Sequence, residues 1–345
     1  MRQDLEWRES KALLRGVNCL TPALPSFQGM KFMRNSDAAP TVLKAILLIS
    51  LGLCSFPQWG LADDGDSQTF GVVTITREHV ESNCPNPCDR DLVIFVHGIF
   101  GARDTWVNAK SKAYWPMLIA EDPDLASFDV ARIDYESYLI KAGPSIEGVE
   151  KDLQDAIQTL NTSKYRTVQF IAHSLGGNLV RRYLLHVKAS YGHKYLSRYR
   201  LVIMLGTPEG GSYLGAVAKL ASHNQQLRVL VPIDGNDWLQ MLNATIIDLR
   251  DKHQRTFCPS LKFAAAIETQ PLFGLTVVPR KDAVTDADIY REFPRNHSSL
   301  VKPVSREDVV YKWTKDLMLR CSNGEICAGP HDSGMSPDCG NVDSR

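Results

Sequence analysis

From residue 92 onward the apolar positions of the chain switch repeatedly between a strand pattern and a helix pattern. Leu92-Val93-Ile94-Phe95-Val96 is an unbroken apolar run, as expected of a strand buried on both faces of a parallel sheet. Residues 128–134 predict a second strand. Ser145 then offers a cap to a helix in which Ile146, Val149, Leu153, Ile157 and Leu160 share one face. Val168, Phe170 and Ile171 predict another strand, and Leu179, Val180, Tyr183, Leu184 and Val187 recur at helical spacing after it. Further strands are predicted at 201–205, 262–267 and 275–278, and a last helix at about 305–319. Such alternation implies an α/β chain with a mostly parallel central sheet and helices on both faces.

Some stretches break the rhythm. Residues 63–90 are polar and proline-rich, with one strand expected near 70–75. Residues 210–253 are helical and apolar, with Leu227, Val229, Leu230 and Val231, then Trp238, Leu239, Met241, Leu242, Ile246 and Ile247. They read either as two ordinary helices packed on the sheet or as a helical lid insertion that also lines an acyl pocket. The α/β domain is expected to span 91–320, with a cysteine-containing tail at 321–345.

At the N-terminus, Arg34 and Lys44 precede an apolar run over 45–56, followed by Gly60-Leu61-Ala62. A positive segment, a short apolar segment and small residues at a cleavage site make a secretory signal, placed at 33–62. The run is about 12 residues, short of the roughly 20 that span a bilayer. The alternative is a membrane anchor left uncleaved. Residues 1–32 read as an extension upstream of the true start, since Met30 or Met33 starts the signal better. Cys84, Cys88, Cys258, Cys321, Cys327 and Cys339 follow the signal. An even number in an exported chain points to disulfides. A zinc site at Cys84 and Cys88 is the rival, but no downstream Cys/His pair has matching spacing. Lys+Arg and Asp+Glu are equal at 39 each, and without a basic stripe nucleic acid is not an expected partner.

The chemistry centres on Ala172-His173-Ser174-Leu175-Gly176-Gly177, where a buried strand breaks into a helix. A serine there presents its hydroxyl above the sheet edge, beside the free N–H groups of a helix N-terminus. The stretch fits the nucleophile elbow G-x-S-x-G with alanine at its first position. Ser174 is the expected nucleophile. The loop Val96-His97-Gly98-Ile99-Phe100-Gly101 closes the first apolar strand and is expected to give one oxyanion donor, the N–H of Ile99, with Phe100 as the alternative. The N–H of Leu175 is the other. His297 is the expected base, lying after the last strand. His97 is expected to hold its loop by hydrogen bonds, and His173 to point sideways. For the acid, the fold argues for Glu268, at the end of the strand before the last. Asp282 is the alternative, with Asp286 and Asp288 behind it. No metal or cofactor is expected.

The ordered set of motifs also carries a resemblance. It runs from Val96–Gly101 through Trp106, Trp115-Pro116, Phe128-Asp129-Val130 and Tyr135, then His173–Gly177, Gly206-Thr207-Pro208-x-x-Gly211-Ser212 and Asn296-His297 to Lys302-Pro303. It resembles the lipase-like α/β-hydrolases, and more closely the branch with serine-active-site proteins of the SERAC type and inositol deacylases of the PGAP type. The resemblance covers roughly 92–303. It implies the α/β-hydrolase fold, a serine nucleophile and an acyl-ester or lipid-like substrate. In that branch the segment like Ala266-Ile267-Glu268-Thr269 often carries a glutamate, which supports Glu268. The expected activity is an exported, periplasmic or secreted, serine esterase acting on lipid or other apolar acyl esters, with transient contact with a lipid surface. An acyltransferase on the same site is a close variant. A non-catalytic lipid-binding or interaction protein on the same fold is the reading of a different class.

Overall fold

A computed structural model describes residues 66–81, 84–137, 144–212, 226, 230–255, 261–272, 274 and 276–327, all within the unit Leu61–Arg345. The expected signal, residues 213–225 and 227–229 of the expected lid, Cys258 and Cys339 lie outside the described residues.

Among the described residues the strands are β1 (Asp66–Phe70), β2 (Val73–His79), β3 (Asp91–Val96), β4 (Phe128–Tyr135), β5 (Thr167–His173), β6 (Tyr199–Leu205), β7 (Lys262–Glu268) and β8 (Ile289–Phe293). They form one sheet in the order β1-β2-β4-β3-β5-β6-β7-β8. β1 and β2 pair antiparallel, as do β2 and β4. From β4 to β8 every pairing is parallel. The helices are α1 (Trp115–Ala120), α2 (Ile146–Gln158), α3 (Leu175–Leu196, broken at Gly192), α4 (Asp237–Arg255), α5 (Arg280–Ala283) and α6 (Val309–Ser322).

β3 and β5 are buried along their whole length, as strands covered on both faces must be. Their side chains split between two cores. Leu92, Ile94, Val96, Phe170 and Ala172 pack with α2, α3 and α4 through Val149, Leu153, Leu184 and Leu242. Val93, Phe95 and Ile171 pack on the other face with Trp115 of α1 and Val310 and Leu317 of α6. Helices therefore cover both faces. Ser145 caps α2 as expected, its hydroxyl accepting from Gly148 N–H at 3.1 Å. This is the α/β-hydrolase fold.

The elements differ from the sequence expectation in several places, the short helix α1 being one that no periodicity announced. The stretch near 70–75 is a hairpin, β1 and β2, turning at Gly71 with φ +54°. Its first strand is exposed and polar, so no apolar pattern announces it. The apolar stretch expected as a strand at 275–278 is loop where described. The N–H groups of Val277 and Val278 go to the Glu268 carboxylate instead of a strand ladder. The last strand is β8, an edge strand whose middle is exposed and polar, which hides it from apolar patterning. The described part of the 210–253 insertion holds one long helix, α4, whose Leu239, Leu242, Ile246 and Leu249 are buried in the core shared with α3.

Cys84 is bonded to Cys88 and Cys321 to Cys327. Each pair closes on a near neighbour in the chain.

Ile246 and Ile247 test the packing of α4, because Ile246 is 0% exposed and Ile247 46% exposed. Ile246→Ala is expected to lower unfolding stability by about 2–5 kcal/mol. Ile247→Ala is expected to change it by no more than ~0.5 kcal/mol. Urea denaturation of both variants measures the difference.

Candidate active site

The serine turn is built from backbone. β5 ends at His173, α3 begins at Leu175, and Ser174 between them takes φ +51°. A non-glycine residue in the left-handed region costs of order 1–3 kcal/mol and persists only where neighbours enforce it. Here Ser174 N–H donates to Leu205 O at 3.0 Å and Ser174 O accepts from Gly177 N–H at 3.1 Å. Close approach explains the glycines around it. A Cβ on Gly98 would lie 2.6 Å from Ser174 Cβ, and one on Gly176 would lie 2.5 Å from Val96 O. Ala172, by contrast, tolerates its methyl group, which packs in the core at 0% exposure. Leu175 is the first residue of α3, so its N–H has no acceptor within the helix.

His297 follows β8 and Glu268 ends β7. His297 Nδ1 lies 2.5 Å from Glu268 Oε2. The other carboxylate oxygen, Oε1, accepts from Val277 N–H at 2.9 Å and Val278 N–H at 3.1 Å. A carboxylate only accepts, so Nδ1 is the donor of this pair and Nε2 is the ring nitrogen left outside it. Gly206, at φ +58°, leaves room for the pair: a Cβ there would lie 3.0 Å from His297 Nδ1 and 3.2 Å from Glu268 Oε2. The histidine loop is anchored by Asn108 Nδ2, which donates to Lys302 O at 2.7 Å.

The carboxylate at His297 is therefore Glu268. Asp282 lies at α5 beside Gly210, whose N–H donates to Asp282 O at 2.8 Å. Burial pushes the Asp282 carboxyl above its usual range. Asp288 accepts from Phe263 N–H at 2.8 Å. Asp286 is bound up in a buried network, paired with the guanidinium of Arg181 on α3. Arg181 also donates to Asn178 Oδ1 at 3.0 Å and to Asn243 Oδ1 of α4 at 2.8 Å. Asn243 in turn donates to Glu209 O at 2.8 Å, and Asn178 to Pro208 O at 3.2 Å.

The loop after β3 is a turn closed by Gly101 N–H to Gly98 O at 3.1 Å. His97 is wholly buried, with Nδ1 2.6 Å from Gly98 O and Nε2 accepting from Tyr135 N–H at 3.0 Å. Both nitrogens are thus committed to the loop, with the proton on Nδ1. Its ring stacks on Tyr135 at 4.3 Å. Burial pushes its pKa down to about 4. Phe100 N–H donates to Ser137 Oγ at 2.6 Å, whereas Ile99 N–H has no partner among the described residues.

Two neighbours escaped the sequence reading. His173 does not simply point aside: its ring packs 4.7 Å from that of His297. Burial, then the nearby His297, Lys302 and His97, hold its pKa well below the usual range. Ser137 lies just past the end of β4, and its one cue is that position at the carboxyl edge of a buried strand.

Residues 150–268 match the family model of lecithin:cholesterol acyltransferase, a span that holds Ser174 and Glu268 but not His297. No curated protein matches the chain. Among solved structures, phospholipase PlaB from Legionella pneumophila is similar at 14% identity and TM-score 0.49, over 69% of this chain and 62% of that one. The chain thus spans 62% of that phospholipase's length. Lipase BlEst2 of Bacillus licheniformis in mature form is similar at 18% identity and TM-score 0.40, over 74% of this chain and 99% of that one. Est1E from Butyrivibrio proteoclasticus is similar at 12% identity and TM-score 0.46, over 74% and 98%.

The buried His97 predicts an acid sensitivity. Its folded pKa of about 4 lies below the ordinary 6.5, so between these values the unfolded chain binds the proton and the folded chain does not. Stability is full above pH ~6.5 and falls as pH drops toward ~4, by about 3 kcal/mol from this group. His173, also depressed, acts in the same direction. The urea midpoint is expected to fall steadily from pH 6.5 to 4.5, and less steeply in His97→Gln. Equal slopes in the two proteins would remove His97 as a cause.

Proposed function

We propose that the chain is a serine hydrolase of carboxylic esters, acting on lipids or other apolar acyl esters through an acyl-enzyme. The observation that carries this reading is the Glu268–His297 pair, at 2.5 Å, beside a serine held in a left-handed turn at a helix start. The resemblance of the ordered motifs to lipase-like α/β-hydrolases of the SERAC and PGAP type supports it.

In this reading Ser174 Oγ attacks the ester carbonyl and forms the C–O bond while its proton passes to His297 Nε2. Glu268 holds the imidazole in the required tautomer and stabilises its cation. The N–H groups of Leu175 and Ile99 receive the oxyanion. Collapse of the tetrahedral intermediate breaks the ester C–O bond, and His297 returns the proton to the leaving alkoxide. Water then repeats the sequence and frees the acid. None of these steps calls for a metal or cofactor.

A second reading keeps the acyl-enzyme and replaces water by an acceptor alcohol. The acyltransferase family match over 150–268 favours it. An apolar acyl substrate implies transient contact with a lipid surface, and the apolar side chains Met241 and Ile247, exposed on α4, are in keeping with such contact. Export is proposed from the N-terminal signal, and the pairs Cys84–Cys88 and Cys321–Cys327 support it. No helix among the described residues is long and apolar enough to cross a membrane.

A fluorophosphonate probe is expected to label the wild type and not Ser174→Ala; a folded wild type that stays unlabelled makes the protein a non-catalytic binder. Glu268→Gln is expected to lower kcat by up to about 10⁴-fold, and Asp282→Asn to leave it within about threefold. The reverse result would move the acid to Asp282. Substrate class is measured with p-nitrophenyl esters of increasing chain length, phospholipids, and an added acceptor alcohol that diverts the acyl group if the second reading holds.

A further inference from the structure

The turn at Gly98–Gly101 carries a strain that a residue outside the expected site relieves. Gly101 N–H bonds to Gly98 O at 3.1 Å, which makes Ile99 and Phe100 the two central residues. Phe100 has φ +61°, while Ile99 is not among the residues of positive φ. A positive φ at the third position alone defines a type II turn, and that position ordinarily demands glycine. Here an aromatic residue occupies it. One interaction meets the central peptide directly: Phe100 N–H donates to Ser137 Oγ at 2.6 Å.

Ser137 is itself held in place. The preceding residue, Glu136, donates its N–H to Val72 O at 3.0 Å and accepts from Gln226 Nε2 at 2.9 Å. One residue earlier, Tyr135 N–H donates to His97 Nε2 at 3.0 Å. The end of β4 therefore grips the turn at two points, His97 on one side and Phe100 on the other.

We propose that Ser137 is a positioning residue for ester cleavage: its hydroxyl holds Phe100 in the left-handed conformation and so fixes the N–H of Ile99 where the oxyanion develops. Without that acceptor a non-glycine Phe100 returns to negative φ, and the turn that carries Ile99 re-forms in another geometry. A displacement of about 1 Å at a reacting centre costs on the order of 10²-fold in rate, and loss of an oxyanion donor costs about 10²–10³-fold. The same bond explains why Ile99, and not Phe100, is the donor of this loop.

The inference rests on Ser174 being the nucleophile, and the test separates the two ideas. Turnover of a p-nitrophenyl ester is measured for wild type, Ser174→Ala, Ser137→Ala, Phe100→Gly and the double variant, each checked for native near-UV circular dichroism. Ser137→Ala is expected to lower kcat roughly 10- to 100-fold with KM within about twofold, and Ser137→Thr, which keeps the hydroxyl, to retain most of it. The decisive readout is the cycle. In the Phe100→Gly background, Ser137→Ala should cost no more than about twofold, because glycine adopts positive φ without help. An equal cost in both backgrounds, or a wild-type kcat in Ser137→Ala, overturns the inference while leaving the hydrolase reading intact. If Ser137→Ala does not fold, Ser137→Cys, with its weaker acceptor, takes its place in the same cycle. A wild type that neither turns over ester nor labels at Ser174 defeats the hydrolase reading itself.

Discussion

The carboxyl end of the sheet is organised around one backbone constraint, the left-handed conformation of Ser174. Three parallel strands, β3, β5 and β6, end side by side, and the chain leaving β5 has to enter α3 almost at once. Only a sharp turn does this, and Ser174 at φ +51° is that turn. The strain is met by neighbouring strand ends: Leu205 O of β6 takes its N–H, and Gly176 lies against the last carbonyl of β3. The hydroxyl is therefore aimed by the sheet, and the helix start beneath it comes from the same turn. Gly98 is a consequence of that turn, since a Cβ there would meet Ser174 Cβ, while Gly206 answers to the Glu268–His297 pair.

A second layer of polar contacts fixes what surrounds the serine. Arg181, one of the largest fully buried side chains, ties α3 to α4 and to Asp286 before β8, and its partners Asn178 and Asn243 hold the carbonyls of Pro208 and Glu209. Taking one partner from such a buried pair strands the other charge, at a cost of about 3–5 kcal/mol. The network thus adds less to net stability than it does to geometry. It joins the serine's helix to the loop that borders the Glu268–His297 pair, so the two halves of the site cannot drift apart independently.

Legibility in the sequence followed burial. β3, β5, β6 and β7 are two-sided buried strands, and their apolar runs announce them. α2 announces itself by its apolar face and by Ser145. The misses are elements whose environment erases the pattern. β1 and β8 are exposed edge strands with polar residues, and the apolar residues at 275–278 serve a loop whose N–H groups hold a carboxylate. The topological rule still led to Glu268, although the strand taken as the last was the wrong one: β7 precedes the final strand either way. The strand-to-helix break at Ser174 and the pairing of His297 with Glu268 were legible because residue type and order mark them along the chain. Ser137 was not, since a serine past a strand end is common and only the φ of Phe100 gives it meaning.

The two disulfides among the described residues have a consequence for how the fold survives its surroundings. Each spans a short loop, with sequence separations of 4 and 6. Closing so short a loop removes little chain entropy from the unfolded state, on the order of 2 kcal/mol each, and neither bond ties one core to the other. The sheet and its two cores carry their own weight. Reduction of these two bonds should therefore loosen the approach to β3 and the end of α6 while leaving the carboxyl edge of the sheet assembled. These bonds act as local clasps, one on the connection between β2 and β3 and one at the end of α6.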